Sequence, residues 1–174
     1  IGRDSSATSS DAIAVGRSAN ATGGTSISLG YNTSSSETNT VAIGSSVSAT
    51  AESAIALGRS TKASGLSATA IGPLAAASGT TAAAFGFQAK AGGQDSLAIG
   101  NNANASGRSS FAGGLNTVAS GTGALALGDT AKANSDRTIA IGPSAIANDA
   151  DSVAVGTRDT TANKGGLAVG VNAN

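Results

Sequence analysis

The 174-residue chain contains no cysteine, histidine, methionine or tryptophan, and has only two prolines, one tyrosine and three phenylalanines. Each absence removes a class of chemistry. Without cysteine there is no disulfide, thiol nucleophile or thiolate metal site. Without histidine there is neither a Ser-His-Asp triad nor a His-based zinc site. A core built on aromatic rings is out of reach. Charged residues make up 11% of the chain and cancel, ten basic against ten acidic. That balance leaves no footprint for nucleic acid or for an anionic membrane surface. No apolar run approaches the roughly 20 residues of a membrane-spanning helix. P-loop and calcium-loop motifs are missing, and the neighbouring carboxylates Asp149 and Asp151 fall in turn sequence, so acid–base work has no pocket to occupy. The chain is therefore not read as an enzyme, and no cofactor or metal is expected. It opens on Ile1-Gly2 without an initiator methionine, which suggests a fragment of a longer protein whose leader and anchor lie outside it.

What is present is glycine, 25 residues of it, in a fixed spacing. Glycine stands at Gly2, Gly16, Gly30, Gly44 and at every fourteenth residue from there to Gly170. Internal periodicity of this kind marks a solenoid of stacked, near-identical turns. One place before this frame glycine is a large apolar residue, as in Val15, Leu29, Ile43, Leu57 and Ile99, with Gly113 as the exception. Three places before it is another, as in Ile13, Ile27, Val41 and Leu97, with alanine between the two in nearly every repeat. This large–Ala–large–Gly alternation has the period of a strand. A second, weaker alternation follows, Ala/Thr–polar–Ala, as in Ala19-Asn20-Ala21 and Ala89-Lys90-Ala91. Seven places after the frame glycine come Gly23, Gly65, Gly79, Gly93, Gly107 and Gly121, with Asp149 and Asn163 in two other repeats. These read as turn residues chosen for positive φ. Pro73 and Pro143 directly follow frame glycines, where a missing N–H implies a second turn. A coiled coil, which would also repeat in fourteen, is excluded: each glycine costs a helix interior about 1 kcal/mol relative to alanine.

Charge placement bears on assembly. None of the twenty charged residues lies in the four positions before a frame glycine. The first strand is thus apolar on both faces, and a two-layer coil can bury only one of them within its own chain. The other must meet something else, so self-association along this strand is expected. The large residues are expected to point inward against the alanines of the second strand, leaving a small-residue face for close approach between chains.

The elements Asn39-Thr40-Val41-Ala42-Ile43-Gly44, Asp95-Ser96-Leu97-Ala98-Ile99-Gly100 and Asp151-Ser152-Val153-Ala154-Val155-Gly156, each leading towards the second alternation, carry a resemblance. The pattern resembles the heads of trimeric autotransporter adhesins of the YadA type, and it extends over the whole chain. The resemblance implies an all-β, left-handed parallel β-roll of about twelve coils, homotrimeric, with residues 1–174 as a single head lacking stalk and membrane anchor. It implies an extracellular protein on the surface of a Gram-negative bacterium, carried on a coiled-coil stalk and held in the outer membrane by a C-terminal barrel. It implies attachment to host extracellular matrix proteins such as collagen, fibronectin or laminin, or to cell-surface receptors, with autoagglutination as a related property. No membrane contact by the fragment itself is expected.

In that family a repeated N-S-V-A-I-G-x-x-S motif is tied to collagen binding. Its nearest match here is Asn39, Val41, Ala42, Ile43 and Gly44, with Thr40 and Val47 in place of the two serines. Val41, Ala42 and Ile43 are core positions by the repeat frame, so their first role is structural. Exposed contact candidates are Lys62, Lys90 and Lys132 on the wet face of the second strand, and Arg17, Arg59, Tyr31, Phe87 and Leu115 directly after frame glycines. The last repeat, with Thr157-Arg158-Asp159 and Lys164-Gly165-Gly166, departs from the pattern, as terminal solenoid repeats do. Two functions follow: an adhesin head gaining avidity from many weak sites, or a structural spacer projecting another binding domain. An ice-binding solenoid, which needs a regular Thr-x-Thr ladder, fits poorly.

Overall fold

The computed structural model describes residues 1–157, 161–162 and 165–173. It forms two compact units, residues 1–88 and 89–174, and no helix occurs among the described residues. In the first unit short strands alternate with longer ones: β1 Ser6–Ala7, β2 Ile13–Val15, β3 Asn20–Ala21, β4 Ile27–Tyr31, β5 Ser34–Ser35, β6 Val41–Ser45, β7 Ser48–Ala49, β8 Ile55–Arg59, β9 Lys62–Ala63, β10 Thr69–Ile71, β11 Ala76–Ala77 and β12 Ala83–Phe85. The odd-numbered strands form one parallel sheet and the even-numbered strands the other. The second unit repeats the plan with β13 Lys90–Ala91, β14 Leu97–Ile99, β15 Asn104–Ala105, β16 Phe111–Gly113, β17 Val118–Ala119, β18 Leu125–Leu127, β19 Lys132–Ala133, β20 Ile139–Ile141, β21 Ile146–Ala147, β22 Val153–Thr157, β23 Thr161–Ala162 and β24 Leu167–Val171. Each unit is a parallel β-solenoid. Its partners are fourteen residues apart, as in Ala42↔Ala56 and Ser48↔Lys62.

Two four-residue turns close each coil. The first runs from the frame glycine, for example Gly16 to Ala19, whose N–H donates back to the Gly16 carbonyl at 3.4 Å. The second runs from Gly23 to Ser26, closed in the same way at 3.3 Å. In both, the third residue is left-handed: Ser18 at φ 56° and Thr25 at φ 54°. The same conformation recurs every seven residues, for instance at Asp4, Asp11, Asn32 and Asn39. Pro73 and Pro143 occupy the second place of the frame-glycine turn, where a fixed φ is an advantage and no N–H is needed. The left-handed N–H is not wasted either: that of Ser18 donates to the Arg3 carbonyl of the preceding coil at 2.9 Å.

The glycines seven places after the frame are thus not there for positive φ, contrary to the sequence expectation, and none of them has it. They allow close stacking instead. A Cβ on Gly23 would lie 1.9 Å from the Glu37 carbonyl oxygen, and one on Gly65 would lie 1.9 Å from that of Gly79. Asn163, assigned to the same role, lies outside the described residues.

The expected orientation of the first strand is reversed. Ala42, Ala56, Ala70 and Ala98 are fully buried, as are Ala49, Ala63, Ala77 and Ala105 across from them. The large residues point away from the coil: Ile13 is 49% exposed and Ile99 42%. The cause is volume. Turns of four residues hold the two sheets so close that the interior accepts alanine, serine and threonine; Val47 is the largest side chain fully buried there. Most buried hydroxyls are satisfied locally, those of Ser96 and Ser152 excepted. Thr40 donates to the Glu37 carbonyl at 2.6 Å, Ser26 to Gly23 at 2.7 Å, and Ser28 reaches across to Thr33 at 2.8 Å.

The irregular last repeat contains a register change. Strand β23 pairs with β21 at a spacing of fifteen, Ala147↔Ala162, while β24 pairs with β22 at fourteen, Val153↔Leu167. Ala162 therefore fills the small-residue column that the repeat frame had given to Thr161. Arg158, Asp159 and Lys164 lie outside the described residues.

Candidate functional site

The outward face of the longer strands is the feature that demands a partner. In the first unit it carries Ile27, Val41 and Ile55 in one column and Leu29, Ile43 and Leu57 in the next, in register across β4, β6 and β8. These side chains are half-buried by one another, while Val15 and Ile71 reach 39% and 38% exposure. In the second unit Leu97, Phe111 and Leu125 line up with Ile99, Gly113 and Leu127. Gly113, the exception in its column, is explained by its neighbours. A Cβ there would lie 2.8 Å from Leu127 Cδ2 and 3.4 Å from the Phe111 ring, so these two side chains occupy the vacated space.

The collagen-motif-like residues divide between two environments. Asn39 is exposed on a left-handed turn, φ 58°, and its Oδ1 accepts a hydrogen bond from Thr25 Oγ1. Ala42 is fully buried. Val41 and Ile43, expected in the core, belong to the outward stripe instead. Gly44 has φ 135°, and a Cβ on it would lie 1.7 Å from the Gly58 carbonyl oxygen; its place is structural.

The other contact candidates are all exposed, in two places. Arg17, Tyr31 and Arg59 stand at the frame-glycine turn beside the apolar stripe, Tyr31 and Arg59 as the last residues of β4 and β8. The Arg17 guanidinium carbon sits 4.4 Å above the centre of the Tyr31 ring, a cation–π contact that fixes the direction of both. Phe87 and Leu115 hold the same frame position. Lys62, Lys90 and Lys132 project from the short-strand sheets, whose alternate residues Ala63, Ala91 and Ala133 are buried. Pattern reasoning missed the acidic residues at the opposite turn, Asp11, Glu37 and Glu52. The signal was there: in the first 88 residues all acids but Asp4 follow the second strand, and all cations precede or accompany it.

An open depression of about 400 Å³ is lined by Ser120, Gly121, Asn134, Ser135, Asp136 and Ala150. Its single carboxylate accepts the Thr122 N–H at 2.8 Å. Among the described residues no group of three or more acidic side chains gathers to hold a metal. The perturbed ionisable groups are structural. Arg137 Nη2 donates to Asp151 Oδ2 at 2.8 Å, between neighbouring coils. That hydrogen bond, with the attraction of the two charges, raises the Arg137 pKa and lowers that of Asp151. A lowered carboxylate pKa contributes stability that is present above the unfolded value and is lost as pH falls through the folded one. With no histidine to titrate near neutrality, the thermal midpoint is expected to stay level from about pH 5 to 9 and to fall only in stronger acid. Melts followed by circular dichroism across that range check this. Asp151→Asn, exposed as the pair is, should shift the acid limb only slightly.

Comparison with known proteins matches the family described as the YadA head domain repeat at residues 21–46, 49–75, 77–103, 91–117, 119–145 and 136–158. Among solved structures, the collagen-binding domain of the Yersinia adhesin YadA is similar at 24% identity, with a TM-score of 0.44. The match covers 84% of this chain and 65% of the crystallised one. No curated protein matches the chain by sequence.

Proposed function

Since the chain belongs to the YadA head-repeat family, we propose that it forms the head of a trimeric surface adhesin of a Gram-negative bacterium. The observation that carries this reading is the outward apolar stripe. Isoleucine, leucine and valine columns of this regularity are too extensive to leave in water, and burial of one such side chain is worth roughly 1.5–3 kcal/mol. Three chains placed around a common axis bury all three stripes against one another. In this arrangement Val41 and Ile43 serve assembly, and the surfaces left to ligand are the short-strand sheet and the turns. There Asn39, Lys62, Lys90, Lys132, Phe87 and Leu115 offer weak, repeated contacts. Threefold copying of such sites gives avidity without a deep pocket. The solved relative is a collagen-binding domain, which makes collagen the first matrix partner to test, with fibronectin, laminin and cell-surface receptors after it. Display of the head on a stalk and outer-membrane barrel belongs to the same reading.

Light scattering of the purified chain is expected to give three times its 16.2 kDa mass. A stable folded monomer would sink the account of the stripe. Solid-phase assays on collagens, fibronectin and laminin are expected to give saturable binding to at least one. Failure on all three and on host cells would assign the chain to the spacer role instead.

A further inference from the structure

The first unit segregates its charges by edge. Its cations Arg3, Arg17, Arg59 and Lys62 stand at the frame-glycine turn or on the short strand that follows; Asp11, Glu37 and Glu52 stand at the opposite turn. Arg3 pairs with the one acid on its own side, Asp4, at 3.2 Å. The remaining charges form no ion pair inside the chain among the described residues. In two coils the segregation brackets the apolar stripe. Asp11 precedes Ile13 and Val15, and Arg17 follows them; Glu52 precedes Ile55 and Leu57, and Arg59 follows them. All four charged side chains are exposed. One coil is thus acidic on entering its outward strand and basic on leaving it.

We propose that this bracketing is an interchain latch that joins the basic edge of one protomer to the acidic edge of the next, Arg17 to Asp11 and Arg59 to Glu52. The inference rests on the trimeric reading above and adds the orientation and register of its chains. In a cyclic assembly about the stacking direction, every contact is heterologous, so the exit edge of one stripe meets the entry edge of its neighbour. Unlike charges then face each other at every junction. An antiparallel pair would place like edges together and bring arginine against arginine. Register follows from the numbering. Arg17 lies six residues beyond Asp11, and Arg59 seven beyond Glu52. With about 4.8 Å of advance per coil, each partner sits only about 2 Å along the axis from the other when chains assemble without slip. A slip by one coil takes that offset to about 7 Å in one direction and leaves it at about 2–3 Å in the other. But a closed ring of three must undo at another junction any slip made at one, so no slipped ring keeps both pairs at every junction. The apolar columns alone are nearly invariant from coil to coil and tolerate such a slip; the latch does not. The ring of Tyr31, 4.4 Å from the Arg17 guanidinium, holds that cation beside the stripe.

Because the chain has no cysteine, thiols can be placed singly in the full chain. Glu52→Cys, Arg59→Cys and the double variant are treated with a short bis-maleimide and resolved under denaturing conditions. The two positions lie on opposite edges of one coil, so a linkage inside one chain leaves its mass unchanged. The latch predicts covalent dimers and trimers from the double variant and monomers from either single one. Cross-linking of a single variant, or none in the double variant while the parent scatters as a trimer, overturns it. A parent that scatters as a monomer instead defeats the trimeric reading itself. A second measurement uses charge alone. Arg17→Glu with Arg59→Glu should raise the dissociation concentration about tenfold or more, and adding Asp11→Arg with Glu52→Arg should restore it. Equal dissociation of all three proteins overturns the latch.

Discussion

Gly44→Ala is expected to destroy the cooperative unfolding transition of the chain, although it adds one methyl group. The backbone there has φ 135°, a region closed to side chains, at a cost of about 1–3 kcal/mol. The new Cβ would also sit 1.7 Å from the Gly58 carbonyl oxygen. The obstacle is backbone, not the end of a flexible side chain, so the coils must separate and the ladder bonds between them lengthen or break, at about 1 kcal/mol each. A total of about 4 kcal/mol or more is a large share of the 5–15 kcal/mol that holds a typical domain. Gly123→Ala is the control. Gly123 is left-handed at φ 65° with nothing within 4 Å of the added atom, so only the conformational term of about 1 kcal/mol applies. Urea titrations of the two variants should separate close stacking from backbone preference.

The second large effect lies in the contrast between Ala42 and its neighbour Ile43. Ala42 is fully buried between the sheets, and Ala42→Leu forces three carbons into a space that alanines and serines already fill. Overpacking of this kind costs about 1–3 kcal/mol in ordinary cores and more where the walls cannot yield; here the four-residue turns fix the walls. Ile43 points outward, so Ile43→Lys together with Ile99→Lys should weaken the assembly and move unfolding to higher chain concentration, while at concentrations that keep the chains assembled the coil retains its strand content. Far-ultraviolet circular dichroism paired with light scattering reads both variants. If Ile43→Lys abolishes strand content even at high chain concentration and Ala42→Leu is tolerated, the orientation of the stripe described here is wrong.

Most of the coil was legible in the sequence because it depends on spacing. Gly44 and its counterparts marked the frame, the large–Ala–large pattern marked the longer strands, and Ala–polar–Ala marked the shorter ones. Orientation was not legible from periodicity, since alternation says only that two faces differ. Volume decided it, and the clue was the column holding Ser26, Thr40, Ala54 and Ser96 four places before the frame glycine, too small and too regular for a surface. The left-handed turns were not legible from the glycines, because the chain places Asp11, Asn32, Asn39 and Asn116 there instead. These residue types tolerate positive φ through hydrogen bonds of their own side chains. The ligand-facing surface stayed obscure for a different reason: exposed Lys62 and half-buried Val118 and Ile146 occupy equivalent places in the repeat, and no periodic rule distinguishes a contact residue from a solvated one.

The alanine interior has a thermodynamic consequence. A methyl group buries little apolar area, so a coil packed on alanine gains little on closing, and most of the chain's apolar carbon lies in the outward stripe. The stripe leaves water only when chains associate. Folding and association then become one equilibrium governed by mass action, in which the midpoint of unfolding rises with total chain concentration. Dilution acts as a denaturant for such a molecule, and any device that holds three chains together raises their local concentration and stabilises every coil.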